Sequence, residues 1–245
     1  MTPVRLCHLY PGEMNIYADR GNIAVFAQRL RWRGHELAIT EVGLGDELAQ
    51  TGHDLYYLGG GQDRDQRIVA HDLEGKAAAL RSAAADGAAF LWVCGGIQLA
   101  GAGYTDAAGQ RLAGVGILDV DTAAGHSRLI GDLVIDARLD GDAHEVVGYE
   151  NHVGRTELGA DATPLGSVVS GHGNDGTSGF EGAVQDRVIG TYLHGPLLPK
   201  NPWIADKVLS WALEHAGHST SLDPLDDTLA TKARSVARTR AGRAR

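Results

Sequence analysis

Short apolar runs and helical repeats alternate in the first part of the chain. Each run is bounded by glycine, proline or other turn residues, as expected for a buried strand. Between the first and second runs, and between the third and fourth, apolar side chains recur at helical spacing. Strands separated by helices are typical of a parallel sheet with helices on both faces, so we predict an α/β fold. The predicted strands are residues 4–10, 36–42, 54–58 and 88–93, and the predicted helices are residues 22–33 and 66–85.

The pattern changes after Gly103. Residues 114–120, 129–139 and 145–149 alternate apolar and polar positions between turn residues, which predicts antiparallel strands added to the parallel core. Residues 159–182 are rich in Gly, Ser, Thr, Asn and Asp and are expected to form loops with one short strand at 167–170. A last buried strand at 188–193 and a helix at 203–215 close the pattern, which predicts a domain over residues 1–216 and an extension over 217–245.

Charge is distributed unevenly along the chain. Six of the 22 basic residues and no acidic residue lie in residues 232–245, so the remainder holds 16 basic and 31 acidic side chains, a net charge of −15. This negative charge argues against nucleic-acid binding by the rest of the chain, because such binding needs basic faces to neutralise phosphates. The end of the extension has few large apolar residues, and we expect a basic, disordered tail. It either has no specific partner or touches an acidic partner or an anionic membrane surface.

Two cysteines, Cys7 and Cys94, lie far apart and have no metal-ligand spacing, so we expect no metal site and reduced thiols. No run of 18 apolar residues and no charged-then-apolar leader is found. These features favour a cytoplasmic protein.

Cys94 is the strongest chemical candidate. It ends an apolar strand, and Gly95 and Gly96 follow it into a segment with helical character. Such a sharp strand-to-helix turn presents a nucleophile at the edge of a sheet and directs the first N–H groups of the helix at a reacting carbonyl. A buried structural cysteine at a strand end is the alternative interpretation.

His194 and residues 59–61 follow two other predicted buried strands. His194 ends the run 188–193, and the glycines at 59–61 end the run 54–58. Because the carboxyl ends of parallel strands share one edge, we expect both near Cys94. A thiol, an imidazole and glycine N–H groups together predict an acyl-transfer site.

Four motifs contain the candidate residues and their neighbours. They are Leu58-Gly59-Gly60-Gly61-Gln62-Asp63, Val93-Cys94-Gly95-Gly96-Ile97-Gln98-Leu99, Gly148-Tyr149-Glu150-Asn151-His152 and Gly190-Thr191-Tyr192-Leu193-His194-Gly195-Pro196. These motifs resemble class I glutamine amidotransferases of the cobyric acid synthase-like group, which implies a flavodoxin-like fold. The resemblance covers residues 4–213. More narrowly, residues 9–22 resemble the glutaminase subunits of lipid II isoglutaminyl synthases.

The resemblance implies a role for each matching residue. Cys94 is expected to take the γ-glutamyl group of L-glutamine and release ammonia, with His194 as base and then acid. The N–H groups of Gly60 and Gly95 are expected to form the oxyanion hole. Arg128 matches the position that holds the substrate carboxylate, for which a guanidinium is well suited.

Gln98 lies one helical turn beyond Cys94 and is expected to contact the glutamine as well.

The acceptor chemistry is expected to belong to a partner. Cobyric acid synthases carry a synthetase domain ahead of the glutaminase, and no such domain precedes the motifs here. The resemblance implies a heterodimer with a Mur-ligase-like synthetase, which uses ATP and Mg to activate the D-glutamate α-carboxylate of lipid II. No phosphate-binding P-loop motif occurs, so we expect no cofactor in this chain. Contact with the inner membrane face would then come through lipid II.

Pro196 departs from the pattern of many class I amidotransferases, which place a carboxylate two residues after the histidine. Without a carboxylate to orient it, a histidine is a poorer base. Glu150, Asp19 or a residue of the partner are the alternatives, and we favour the partner.

Three other functions compete with a lipid II glutaminase subunit. A related amidotransferase acting on another acceptor is the closest. A cysteine hydrolase on a similar fold would not need the motifs at residues 10–22 and 148–152. A binding module without activity would not need both Cys94 and His194 at strand ends.

Overall fold

The computed structural model describes residues 2–16, 20–139, 141 and 143–243 of the 245-residue chain. They form two β-sheets with helices packed against them. The strands are β1 Val4–Leu9, β2 Leu37–Val42, β3 Leu55–Leu58, β4 Ala89–Val93, β5 Gly103–Thr105, β6 Arg111–Ala113, β7 Val120–Arg138, β8 Ala143–Leu158, β9 Gly166–Ser170, β10 Phe180–Glu181, β11 Ala183–Gln185 and β12 Val188–Thr191. The helices are α1 Arg20–Trp32, α2 Asp63–Ala85, α3 Gly95–Ala100, α4 Pro202–His215 and α5 Thr228–Arg243, with a short 3-10 helix at Leu198–Lys200.

The first sheet has the strand order β11-β12-β4-β3-β1-β2. All neighbours in it are parallel except β11, which pairs antiparallel with β12 at one edge. Helix α1 connects β1 to β2 and helix α2 connects β3 to β4 in the opposite direction across the sheet. Because such connections are right-handed, the two helices lie on opposite faces. The predicted α/β fold is confirmed.

The second sheet is mostly antiparallel and is dominated by the β7–β8 hairpin, in which Val120 lies opposite Leu158 and Arg138 opposite Ala143. The strands predicted at 129–139 and 145–149 are two segments of this hairpin. The strand predicted at 114–120 does not form, and only Val120 belongs to a strand. The full length of the hairpin was not predicted from the sequence, and its pairing is irregular between Ala124 and Leu129.

The predicted disordered tail is wrong for Thr228–Arg243, which form helix α5. Ala237 and Ala241 pack against Val134 and Val147 of the second sheet. Disorder was inferred from the lack of large apolar residues, whereas these small side chains are enough to make the contact. Arg238 Nε donates to Glu145 at 2.8 Å. Alanine and arginine are strong helix formers, and the acidic sheet compensates the basic charge.

Arg240 makes a similar ion pair with Asp132, Nε to Oδ2 at 2.7 Å. The residues between α4 and α5 are held by buried Arg29, which bonds both Asp206 and Asp227 at 2.6 Å. The extension therefore packs onto the preceding residues, while its separation as a domain after residue 216 stays a prediction. No helix in the described part of the chain has the length and apolar character to cross a bilayer.

Asp54 is a buried carboxylate at the edge of the first sheet opposite the Cys94 end. It accepts hydrogen bonds from the Arg5 backbone N–H at 2.8 Å and guanidinium Nη2 at 2.9 Å, and from His215 Nδ1 at 2.9 Å. Burial alone raises the pKa of Asp54, but the hydrogen bonds from Arg5 and His215 outweigh it and lower the pKa below its ordinary value. The carboxylate thus ties β1, β3 and the end of α4 together.

We predict that Asp54→Asn lowers the free energy of unfolding by about 2 kcal/mol at pH 7, because charge-assisted bonds in a buried site are lost. A carboxyl with a depressed folded pKa stabilises the fold above its unfolded pKa of about 3.9, and this contribution is lost as the pH falls through the folded pKa. The difference in the free energy of unfolding between wild type and variant, measured by urea unfolding, should therefore become smaller below about pH 4.

Asp86→Asn is the matched control, since Asp86 lies 3.4 Å from the same histidine but is mostly exposed. It should change the unfolding free energy by less than about 0.5 kcal/mol. Equal effects of the two variants would contradict the importance of the buried carboxylate.

Candidate active site

Cys94 occupies the sharp turn between β4 and α3. Its backbone has φ of 53° and ψ of −109°, a conformation that disfavours any residue with a Cβ, and its side chain is nearly buried. The Cys94 N–H donates to Thr191 O at 2.7 Å, and its carbonyl accepts from the Ile97 N–H at 3.1 Å. The strand-to-helix turn expected from the sequence is present, and it holds the thiol at the end of the sheet.

Glycines allow two backbone segments to approach the thiol. A Cβ on Gly60 would lie 2.9 Å from both Cys94 Cβ and Ile16 Cγ2, and a Cβ on Gly95 would lie 3.1 Å from Met14 Cε. The Gly60 carbonyl accepts from the Ile16 N–H at 3.0 Å, which joins the loop after β1 to the loop after β3. Gly60 and Gly95 thus flank Cys94, as an oxyanion hole requires, and their role stays a prediction.

His194 follows β12, whose Thr191 lies opposite Val93 of β4. This parallel register brings His194 and Cys94 out at the same edge of the sheet. The His194 backbone pairs with Tyr149 through hydrogen bonds of 2.9 and 3.1 Å. Burial, reinforced by nearby His152 and opposed by Glu150, lowers the pKa of His194 to about 4. The imidazole is therefore neutral near pH 7 and able to accept a proton.

An open cavity of about 460 Å³ lies over the thiol, a volume within the usual range for small-molecule sites. Arg128 lines this cavity together with Cys94, and its Nη1 donates to Asn151 Oδ1 at 3.0 Å. Arg128, on the β7–β8 hairpin, and Cys94 thus line one cavity, where a single small molecule can reach both side chains. Its binding role stays a prediction.

Gln98 lines a small recess next to Cys94 and not the open cavity. Its Oε1 accepts from Gln66 Nε2 at 2.6 Å, and its Nε2 donates to the Tyr192 hydroxyl at 3.2 Å. Gln98 and Cys94 both line a smaller recess of about 30 Å³. The amide is therefore largely engaged with the protein, and a direct contact with glutamine stays a prediction.

Glu150, one of the alternatives for a third catalytic group, is buried and has other partners. It accepts from the His172 N–H at 2.7 Å and the Gly173 N–H at 2.9 Å, and it lies 3.7 Å from His152 Nε2. Burial alone raises the pKa of Glu150, but the neighbouring His152 side chain and the hydrogen bonds from His172 and Gly173 lower it overall, so the carboxylate stays ionised. Its charge reaches His194 only as a secondary influence.

Asp19, the other alternative within the chain, lies outside the described residues. Pro196 packs against the start of α1, where a Cβ on Gly21 would lie 2.8 Å from Pro196 Cγ. Within the described residues, no group of three or more histidine, cysteine or carboxylate side chains is arranged to hold a metal ion.

Glu181 and Tyr192 were missed by the sequence analysis. Glu181 is fully buried and accepts from the Tyr192 N–H at 2.7 Å, and burial raises its pKa to about 8. It lies in the glycine-rich segment that was expected to be a solvated loop, so nothing local marked it as buried. Tyr192 was treated only as an apolar strand residue, although a buried tyrosine needs a partner for its hydroxyl.

Comparisons with known proteins agree with this geometry. Residues 5–202 match the family model for the CobB/CobQ-like glutamine amidotransferase domain. The chain is 35% identical over 243 residues to the lipid II isoglutaminyl synthase (glutamine-hydrolyzing) subunit GatD of Staphylococcus aureus (strain N315), which covers 99% of this chain and 98% of that protein. The same subunit of Streptococcus pneumoniae (strain ATCC BAA-255 / R6) is 35% identical over 228 residues, 92% of this chain and 87% of that protein.

Among solved structures, a glutamine amidotransferase from Thermotoga maritima superimposes with a TM-score of 0.55 at 16% identity, covering 98% of this chain and 95% of that one. At this identity the likeness supports the fold alone. That fold is the flavodoxin-like fold of class I glutamine amidotransferases, as expected from the sequence.

We predict that the strained backbone of Cys94 is measurable as a stability difference. Because glycine tolerates a positive φ, Cys94→Gly should be about 1 kcal/mol more stable than Cys94→Ala in urea unfolding. Cys7 is the matched control, since it is buried in the regular strand β1. There the order should reverse, with glycine about 0.5–1 kcal/mol less stable than alanine. The same order at both sites would contradict strain at Cys94.

Proposed function

Because the chain belongs to the CobB/CobQ-like glutamine amidotransferase family, we propose that it is the glutamine-hydrolysing subunit of a lipid II isoglutaminyl synthase. The observation that carries this proposal is the shared edge of β4 and β12. Cys94 and His194 follow these neighbouring strands, and Cys94 lines the same cavity as Arg128. L-Glutamine is the substrate that this arrangement fits.

Cys94 attacks the γ-carboxamide carbon of glutamine in this mechanism. His194, neutral at the start, accepts the thiol proton, and the carbonyl oxygen becomes an oxyanion near the N–H groups of Gly60 and Gly95. When the tetrahedral intermediate collapses, His194 returns the proton to the leaving nitrogen, and ammonia and a γ-glutamyl thioester result. Water, activated by the same imidazole, then releases glutamate.

Arg128 holds the α-carboxylate of the substrate by a bidentate pair, so that the γ-carboxamide lies over the thiol. Its hydrogen bond to Asn151 orients the guanidinium in advance.

Ammonia passes to a Mur-ligase-like synthetase in a heterodimer. That partner binds ATP and Mg and activates the D-glutamate α-carboxylate of lipid II, which ammonia converts to D-isoglutamine. We place the chain in the cytoplasm, with access to lipid II at the inner membrane face through the partner.

A cobyric acid synthase-like amidotransferase acting on another acceptor is the second candidate. The share of each relative's own length that matches this chain favours the lipid II glutaminase subunit. The cobyric acid synthase of Pelotomaculum thermopropionicum matches 68% of this chain over only 34% of its own length, whereas the two lipid II subunits match over 98% and 87% of theirs.

The partner also supplies the carboxylate that orients His194. Pro196 occupies the position where many class I amidotransferases carry that group, and the bonds of Glu150 go to other residues. A carboxylate brought to the imidazole would stabilise its protonated form and raise the low pKa of His194. Glutamine hydrolysis would then wait for the complex.

We predict that the complex releases ammonia from glutamine at least about 100-fold faster than the chain alone, since loss of the orienting carboxylate costs serine proteases about 10⁴-fold. The measurement is ammonia release by the purified chain, with and without the co-purified synthetase, lipid II and ATP. Equal rates would rule out a carboxylate from the partner.

Cys94→Ala in the complex is the control for the assigned chemistry. It should abolish glutamine-dependent amidation and retain amidation with added ammonium. Loss of both would contradict the role of Cys94 as the source of ammonia.

A further inference from the structure

Tyr192 joins the two elements that carry the reactive side chains. It lies two residues before His194, and its hydroxyl accepts from Gln98 Nε2 at 3.2 Å. Gln98 belongs to α3, the helix that begins directly after Cys94. A single buried hydroxyl therefore bonds the helix of the thiol to the segment of the imidazole.

The bond from Gln98 to this hydroxyl has a defined direction. Gln98 Oε1 accepts from Gln66 Nε2 at 2.6 Å, so the Gln98 amide nitrogen is left to donate to Tyr192. The Tyr192 hydroxyl also lies 2.7 Å from Thr156 Oγ1, which in turn lies 2.8 Å from Thr122 Oγ1. The chain of bonds runs from α2 through α3 and the end of β12 to the β7–β8 hairpin.

The tyrosine ring is held as firmly as its hydroxyl. It stacks on the His152 imidazole with ring centroids 3.6 Å apart and an interplanar angle of 10°. His152 Nδ1 donates to the Gly154 carbonyl at 2.8 Å, which fixes the orientation of that imidazole. The stack therefore places Tyr192 against a side chain that is itself immobilised.

The backbone on either side of Tyr192 is also fixed. Its N–H donates to buried Glu181 at 2.7 Å, Thr191 Oγ1 donates to the same carboxyl at 2.9 Å, and the Leu193 N–H donates to Thr191 Oγ1 at 3.0 Å. A shift of the Tyr192 ring is thus transmitted to His194 and is not absorbed by a flexible segment.

Gly154 shows how closely the hairpin approaches this junction. A Cβ at this position would lie 2.4 Å from Gln98 Nε2 and 2.7 Å from the Tyr192 hydroxyl. Real side chains do not make such contacts, so only glycine permits the bond between Gln98 and Tyr192 to form beneath the hairpin.

We propose, building on the function proposed above, that Tyr192 is a positioning residue whose hydroxyl sets the spacing between the Cys94 thiol and the His194 imidazole. The hydroxyl holds α3 against the end of β12. The chain carries no carboxylate two residues after the histidine, so the placement of His194 depends on this junction to an unusual degree. A small misplacement of reacting groups is enough to slow an enzymatic step by about 100-fold.

Tyr192→Phe in the complex with the synthetase subunit tests this role, because it removes the hydroxyl and keeps the ring that stacks on His152. The probe is a diazoketone analogue of glutamine, and the readouts are the maximal rate and half-saturating concentration of covalent labelling of Cys94, followed by intact mass. The variant should lower the maximal rate about tenfold or more and change half-saturation less than about twofold, since binding groups stay in place. Gly154→Ala, which pushes the same junction apart, should have the same effect.

Thr122→Val is the matched control, because it removes a buried hydroxyl at the far end of the same chain of bonds. It should lower the melting temperature without changing the labelling rate. If Tyr192→Phe lowers the melting temperature and leaves the maximal rate unchanged, or raises only the half-saturating concentration, Tyr192 does not position the pair.

The proposed function fails in a different way. A wild-type complex that the diazoketone does not label at Cys94 contradicts that function and the role of Tyr192 together. A wild-type protein that is labelled at Cys94 while Tyr192→Phe is labelled equally fast contradicts only the role of Tyr192.

Discussion

The site depends on the in-register parallel pairing of β12 with β4 and of β4 with β3. Thr191 lies opposite Val93, and Leu58 lies opposite Trp92, so the residues that follow all three strands emerge at one edge. A slip of one residue would turn every side chain of a strand to the other face and separate the thiol from the imidazole. All three strands are buried on both faces, and their packing prevents such a slip.

Local signals allowed the sequence to predict this edge. Buried strands are continuous apolar runs, and the glycines after Cys94 and at residues 59–61 mark sharp turns, so both strand ends could be located without knowing the packing. The junction of Gln98 with Tyr192, the burial of Glu181 and the long β7–β8 hairpin depend on contacts between distant segments. Helix α5 was not predicted because alanines and ion pairs, rather than large apolar residues, attach it to the sheet.

Burial keeps the His194 imidazole neutral, and the orientation of this base depends on the groups around it. The pKa of His194 falls to about 4, while Glu150 remains ionised only because its oxygens bond His172 and Gly173. The charge that would stabilise a protonated His194 is thus committed elsewhere in the chain. Together with Pro196, this makes the proposed dependence on a partner a consequence of how the buried charges are satisfied.

The most direct test of the account is to trap the acyl intermediate. The protein in complex with its synthetase partner is mixed with glutamine, quenched in acid within the first turnover and digested for mass spectrometry, with the Cys94→Ala complex as the blank. The account predicts a γ-glutamyl thioester on the peptide that contains Cys94 and on no other peptide. An adduct at another residue, or glutamine hydrolysis that continues in Cys94→Ala, would contradict it.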